Sequence, residues 1–414
     1  MKLHWKIIIG MAAGVAVGLV VNESSPLPAA LKTPISVVFG PVIGPAGQIF
    51  IKLLKMLIVP LILASMVTGV ARVGDIRKLG GLGGKTFAYY IVTTFASVLV
   101  GLILVNIVRP GAGAPELGGE VPEVVRTQVT IGSILLNMIP ANPFKAMAEM
   151  QILPLIVFSL LFGAVLTTMG DKGRPLTEFF DSLNDAMMKL TDWVIQLAPI
   201  GVFALLAAVV VETGPGIFAN LGKYMATVLL GLAVHALITL PLLLKLVGGA
   251  NPKKYFGKVA PALTTAFSTA SSSATLPLTI DCVETKAKVS PRVASFVLPL
   301  GATINMDGTA LYESVAAVFI AQVYGIDLTL GQQVLIFLTA TLAAIGAAGI
   351  PSAGLVTMAI VLKAVGLPLE GIGMILAVDR ILDMCRTAVN VWGDTAGCAV
   401  VARLTNEETP AEIR

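Results

Sequence analysis

The stretch LTLGQQVLIFLTATLAAIGAAGIPSAGLVTMAIVL, residues 328–362, runs for 35 residues without a charged side chain. A helix needs about 20 apolar residues to cross a hydrocarbon core, so the run is too long for one crossing and too short for two crossings and a turn. Its middle, AAIGAAGIPSAG at 343–354, carries glycines and Pro351, which do not continue a helix comfortably. Two half-length helices meeting at a glycine-rich tip fit best, forming a re-entrant hairpin.

The whole composition agrees with a membrane setting. Of 414 residues, 56% are apolar and 13% charged, with mean hydropathy +0.90, whereas soluble proteins carry charge on about a quarter of their residues. A water-soluble multidomain enzyme is excluded. The 41 glycines and 24 prolines predict broken helices, which a membrane protein tolerates where neighbours satisfy the freed backbone groups. A net charge of +4 with no basic run interleaved with aromatics argues against a nucleic-acid partner. Cys282, Cys385 and Cys398 form no CxxC and no Cys/His cluster, so neither a disulfide framework, a zinc site nor a resident cofactor is expected. His235, alone in an apolar span, reads as a packing or hydrogen-bonding residue with no assigned role.

Residues 86–108, 193–211 and 224–244 lack Asp, Glu, Lys and Arg and read as whole transmembrane helices. Residues 5–21, 43–71 and 152–169 read as further spans. The first could instead be a cleaved signal peptide, since Lys2 and Lys6 precede a 15-residue apolar run, but no clear small-x-small cleavage site closes the run. Lys2, Lys6, Arg72, Arg77, Lys78, Lys85, Lys172, Arg174, Lys245, Lys253, Lys254 and Lys258 fall at the N-terminus or in alternate connections, while ELGGEVPE at 116–123 is acid-rich. Basic connections face the cytoplasm, so both termini are expected there, in a multi-pass protein of the cell (inner or plasma) membrane.

A second interrupted segment lies at 259–280, broken by STASSSATLP at 268–277. Serines at membrane depth need protein, water or ligand to satisfy them. Paired interrupted segments point to a transporter binding site, against the alternative of two ordinary loops in a bundle. Between them, residues 293–324 carry Asn305, Asp307, Thr309 and Glu313, and ionisable groups in a membrane mark a pathway or site. Pro299, Gly301 and Gly308 permit local unwinding, which would place carbonyl oxygens beside the Asn and Asp oxygens. Such a set suits a hard cation such as Na+.

In DRILDMCRTAVNVWGD, residues 379–394, Asp379, Asp383, Arg386, Asn390 and Asp394 are spaced by four, three, four and four residues. At 100° per residue they occupy an arc of about 80°, so one helix face is polar. The alternative is a surface helix with its stripe in solvent. A guanidinium takes a carboxylate bidentately and a carboxylate one turn away takes an ammonium group, so Arg386 with Asp383 suggests a zwitterionic substrate with an extra acidic group.

These residues resemble the dicarboxylate/amino acid:cation symporter family, which includes the excitatory amino acid transporters and archaeal aspartate transporters. The resemblance covers nearly the whole chain and is strongest at SSSATLP (271–277), NMDGT (305–309), AAGIPSAG (347–354) and DMCRTAVNVWGD (383–394). It implies an all-α polytopic membrane protein with eight transmembrane helices and two re-entrant helical hairpins, working as an elevator in a homotrimer. Residues 1–72 would be scaffold helices one and two, 73–110 transport helix three, 111–215 scaffold helices four and five, 216–404 the transport core, and 405–414 a cytoplasmic tail.

The resemblance also implies roles. Arg386 would bind a substrate side-chain carboxylate and Asp383 its amino group, with Ser271, Ser272, Thr309, Thr387 and Asn390 around them and Gly354 in the outer gate. One Na+ would lie among Gly301, Asn305, Asn390 and Asp394, and a second near the carbonyls of Thr303, Ala344, Ile345 and Ala347. A third would use Tyr90, Thr93, Thr94, Asn305 and Asp307. Family members usually carry an extra arginine where this chain has Ala270 or Met384, and Arg380, one turn before Met384, is the candidate replacement. Low dielectric disfavours a charged carboxylate, which makes Glu313 the candidate proton carrier. The expected function is secondary uptake of L-glutamate or L-aspartate by Na+ and/or H+ symport. Uptake of a C4-dicarboxylate or a neutral amino acid, a passive channel, and an intramembrane hydrolase using Ser271, Ser272 or Ser273 with His235 stand as alternatives. The hydrolase lacks a nucleophile elbow around its serines.

Overall fold

The computed structural model describes residues 3–22, 43–72, 80–115, 132, 136, 138–345 and 353–406. All its regular elements are helices, with no strand among the described residues. The acid-rich connection at 116–123, the tip of the second hairpin at 346–352 with Ala347, and residues 407–414 lie outside them. In chain order the helices are α1 (Leu3–Val21), α2 (Gly44–Arg72), α3 (Gly80–Val108), α4 (Pro143–Ala148), α5 (Ile152–Thr168), α6 (Arg174–Gln196), α7 (Ala198–Thr213), α8 (Ile217–Val234) and α9 (Leu240–Leu246). They continue with α10 (Pro252–Thr269), α11 (Ser272–Asp281), α12 (Pro291–Ile304), α13 (Asp307–Val323), α14 (Leu330–Ile345), α15 (Ala353–Val365) and α16 (Ile372–Leu404).

Among the described residues, three continuous helical segments, Gly44–Ala71, Gly81–Val108 and Gly214–Leu246, are long and apolar enough to cross a membrane. The span expected at 193–211 is not one helix: α6 and α7 meet at Leu197 with a bend of 53°. Pro199 in the first turn of α7 explains the break, because proline fits a helix start and disfavours a helical residue before it. The span expected at 224–244 lies within a longer run whose turns at His235–Thr239 widen to π geometry just before Pro241, where the missing N–H removes a helical bond.

Helix α1 is packed as a structural element. A Cβ at Gly10 would lie 2.4 Å from the Pro199 carbonyl oxygen, and one at Gly14 would lie 2.6 Å from that of Phe203. Small residues spaced by four let two apolar helices approach this closely. Helices α1, α2, α5, α6 and α7 pack on one another, while α3, α8 and α10 to α16 form a second set of mutual contacts.

Both interrupted segments fold back on themselves. Helix α10 packs against α11 and α14 against α15. At the first tip Ala270 takes a left-handed conformation (φ 51°) and Ser271 caps α11 by accepting from Ala274 N at 3.1 Å. The third interruption lies between α12 and α13. Helix α12 runs on through Pro299 and Gly301, and the chain unwinds instead at Asn305 and Met306 (φ −101° and −112°). Of the residues expected to permit unwinding, Pro299 and Gly301 stay helical and the break falls between Gly301 and Gly308, where it turns Asn305 and Asp307 inward.

Candidate functional site

The polar face of α16 is buried: Asp379, Asp383, Arg386, Asn390 and Asp394 are each at most 4% exposed. That excludes the solvent-facing surface helix. Apolar positions on the same segment, Leu382, Val389 and Val391, are buried too, so α16 is enclosed on both sides by α10, α12, α13 and α8.

Two clusters divide this face. In the first, Arg386 is held by Asp379 (Nη1 to Oδ1, 3.0 Å) and Asp383 (Nη2 to Oδ1, 2.9 Å; Nε to Oδ1, 3.1 Å). Its Cζ lies 4.3 Å from the Tyr312 ring centre, within cation–π range. Arg380, on the more open side, reaches Asp383 Oδ2 at 3.6 Å. The backbone of Gly354 lies against the same guanidinium, since a Cβ there would be 2.6 Å from Arg386 Nη2. Only glycine allows the second hairpin to sit on the arginine so closely. Gly308 is equally confined, with its Cβ position 2.6 Å from the Arg386 carbonyl oxygen, and its N–H donates to Asn390 Oδ1 at 2.7 Å. Asn390 Nδ2 donates to Thr309 Oγ1 at 3.3 Å, and the Thr387 hydroxyl donates back to the Asp383 carbonyl at 2.7 Å. Ser271 and Ser272 are buried at the first hairpin tip, which packs on α16 through α10 and α11.

The second cluster lies where α3, the unwound joint and the far end of the α16 stripe meet. Asn305 Nδ2 donates to Asp394 Oδ1 at 2.9 Å, and Thr93 Oγ1 donates to Asn305 Oδ1 at 3.3 Å. Thr94 Oγ1 donates to Asp307 Oδ1 at 2.7 Å and Ser97 Oγ to the Asp307 carbonyl at 2.6 Å. Tyr90 Oη donates to Val297 O at 2.6 Å, and a Cβ on Gly301 would lie 2.7 Å from that hydroxyl and 2.4 Å from Asp394 Oδ1. No Lys or Arg pairs with Asp307 or Asp394 among the described residues. The donors are carboxylate, amide and hydroxyl oxygens, which fit a hard monovalent cation; three convergent His, Cys, Asp or Glu side chains of a transition-metal site do not occur among the described residues. Thr303 lies apart, with its hydroxyl donating to Leu300 O at 2.8 Å. Its carbonyl partners in the expected second cation site, Ala344 and Ile345, end α14, and Ala347 lies outside the described residues.

Glu313 is fully buried on α13, with neither carboxylate oxygen in a hydrogen bond of good geometry. The polar groups acting on it are the Thr357 hydroxyl and the Arg386 guanidinium, so it belongs to the first cluster.

Three partners escaped the sequence reading. His235 Nε2 lies 3.2 Å from Asp307 Oδ2 with both side chains fully buried; a hydrogen-bonding role was legible, its partner was not. Tyr312 under Arg386 had no sequence signal. Ser97 had one, because it follows Thr93 and Thr94 by four and three residues on α3, on the same helix face.

The model of the sodium:dicarboxylate symporter family matches residues 3–404. Mouse excitatory amino acid transporter 3 is 41% identical over 99% of this chain and 87% of its own length. The human transporter of the same name is 40% identical over 99% and 87%, and excitatory amino acid transporter 1 of Ambystoma tigrinum is 41% identical over 87% and 77%. A multi-pass helical membrane protein that gathers an arginine between carboxylates beside an oxygen-lined cluster, and that this family's model matches from α1 to the end of α16, belongs to the sodium:dicarboxylate symporter family.

Proposed function

We propose that the protein takes up L-glutamate and L-aspartate with Na+ as the driving cation and a proton carried on Glu313. The observation that carries this reading is the buried arrangement of Arg386, at 2.9 and 3.0 Å from two carboxylates and directly beneath Gly354. A substrate's side-chain carboxylate replaces one Asp partner on the guanidinium, and the freed Asp383 takes the substrate's ammonium group, so the charges stay paired at each stage. A C4-dicarboxylate has no ammonium group for Asp383, and a neutral amino acid has no side-chain carboxylate for Arg386. Ser271, Ser272, Thr309, Thr387 and Asn390 supply the remaining polar contacts, and Arg380, already 3.6 Å from Asp383, supplies positive charge at the rim.

The oxygen clusters bind the coupling cations: Gly301, Asn305, Asn390 and Asp394 hold one, and Tyr90, Thr93, Thr94, Asn305 and Asp307 another. Thr303 with the end of α14 contributes a third. The two packing groups support a scaffold of α1, α2, α5, α6 and α7 and a moving transport body of α3 and α8 to α16, sliding as an elevator in a homotrimer with both termini cytoplasmic. The second hairpin opens to admit substrate and closes only over the fully loaded site, which couples the two gradients.

Uptake of radiolabelled L-aspartate and L-glutamate into proteoliposomes, competed by excess succinate or L-alanine, tests the substrate assignment. Acidic amino acids compete with each other and the other two leave uptake unchanged. Equal competition by succinate would refute the role given to Asp383.

A further inference from the structure

Away from the polar face of α16 lies a groove of about 800 Å³ between the α8–α9 run, the first turn of α10 and the reverse side of α16. Its walls are apolar. Leu237 is 72% exposed and Phe256 47%, with Pro241 between them and Trp392 at the floor. Phe256 meets Trp392 edge to face at 5.4 Å, and Trp392 Nε1 donates to Ala236 O at 3.0 Å. The one polar atom of the indole is therefore satisfied by protein, and the floor offers only hydrocarbon contact. Ile238, Leu242 and Leu246 continue this exposed apolar surface along the same run.

The mouth is different in kind. Lys245 and Lys253 line it, and neither is ion-paired among the described residues. A third cation approaches from α16: Gly249, another lining residue, has φ +62°, and the Arg403 guanidinium occupies the space where a side chain at 249 would stand. No lining residue is acidic. The first turn of α10 is already closed by Asn251, whose Oδ1 accepts from Lys253 N and Lys254 N, so the side-chain charges rather than a free helix terminus give the mouth its sign.

An apolar trough that ends in three cations matches one chemistry, an acyl chain attached to an anionic headgroup. Free phosphate gains nothing from Leu237, Phe256 and Trp392, and a zwitterionic lipid gains little from the cations. Lys245, Lys253 and Lys254 also belong to a basic connection; the positive-inside rule assigns such a connection to the cytoplasmic headgroup region, where basic recesses between helices hold anionic lipids. We propose that this groove is a binding site for an anionic glycerophospholipid of the inner leaflet. The lipid's chains lie on Trp392, between Asn390 and Asp394 on α16, and beside Ala236, next to the His235 that pairs with Asp307. It thus rests on the outer side of the helices that form the oxygen cluster.

The chain has three tryptophans, Trp5, Trp193 and Trp392, so the pair Trp5→Phe and Trp193→Phe leaves Trp392 as the sole indole emitter. In nanodiscs, phosphatidylglycerol with brominated acyl chains should quench it about tenfold more effectively than brominated phosphatidylcholine at equal mole fraction. Adding Lys245→Gln and Lys253→Gln should bring the two lipids level. As a check on the unaltered sequence, native mass spectrometry should find phosphatidylglycerol retained over phosphatidylcholine by wild-type protein and lost from the Lys245→Gln/Lys253→Gln variant. Equal quenching by both lipids in the parent, a phosphatidylglycerol preference that survives the lysine substitutions, or no quenching by either lipid, as when another protein copy covers the groove, would each overturn the proposal.

Discussion

Both ends of the α16 stripe hold buried aspartates, but the partners of those aspartates differ in charge. Around Arg386, two carboxylates share one fixed cation, at 3.0 Å from Asp379 and 2.9 Å from Asp383. Around Asp394 and Asp307 the partners are Asn305, Thr94 and His235, and no arginine or lysine is paired there among the described residues. The first cluster carries its own positive charge, which suits the proposed acidic group arriving with an ammonium. The second holds carboxylates matched only by neutral or weakly basic groups, which is the setting the proposed mobile cation would compensate, because an uncompensated buried carboxylate is costly. On the proposed reading, one helix would separate substrate from coupling cation by about two turns.

Substitutions should separate the two ends. Arg386→Ala strips Asp379 of its cation and leaves Asp383 only the long contact to Arg380; breaking a buried pair from one side costs about 2–5 kcal/mol, so acidic amino acid uptake should fall by about 30-fold or more, while a tryptophan-fluorescence titration with Na+ retains a response. Asp394→Asn acts on the other end. It should raise the Na+ concentration for half-maximal uptake by about tenfold, equivalent to about 1.4 kcal/mol, with the apparent affinity for aspartate at saturating Na+ much less affected. An equal loss of both affinities would erase the distinction between the clusters.

A smaller effect is expected at their lid. Gly354→Ala puts a methyl group where Arg386 Nη2 now lies 2.6 Å from the Cβ position, and should slow uptake by several-fold to about tenfold without altering the Na+ dependence. Glu313→Gln keeps the shape and removes the ionisable group; Na+-driven uptake should persist and lose its response to an imposed pH gradient. Arg380→Ala should have the least effect. Its contact with Asp383 is long, at 3.6 Å, and its side chain is 27% exposed, so an increase in KM of about two- to fivefold is expected, in line with about 0.5–1 kcal/mol for a partly solvated pair.

Much of this arrangement was legible because helical spacing is a strong constraint. Five polar residues at intervals of three and four can only share a face, and the buried stripe of α16 shows them doing so. The uncharged 328–362 run foretold two helices folded on each other for a similar reason, length against membrane thickness. The position of the α12–α13 break was harder to read, since Pro299 and Gly301 permit unwinding without requiring it, and tertiary contacts let α12 continue to Ile304. The α6–α7 bend had its mark in Pro199, yet the apolar run across Leu197 read as one span. Pairings between distant elements left no local trace. His235 and Asp307 lie 72 residues apart, and Tyr312 reaches Arg386 only once α13 packs on α16.

The proposed part of the oxygen cluster in Na+ coupling is tested most directly by radiolabelled L-aspartate uptake into proteoliposomes with an inward Na+ gradient, with external Na+ replaced by choline, and with an inward H+ gradient in choline. Concentrative uptake should occur with Na+, disappear in choline, and not be restored there by the H+ gradient alone. Full uptake driven by the H+ gradient in choline would contradict the account, because the oxygen cluster around Asp307 and Asp394 would then have no part in coupling.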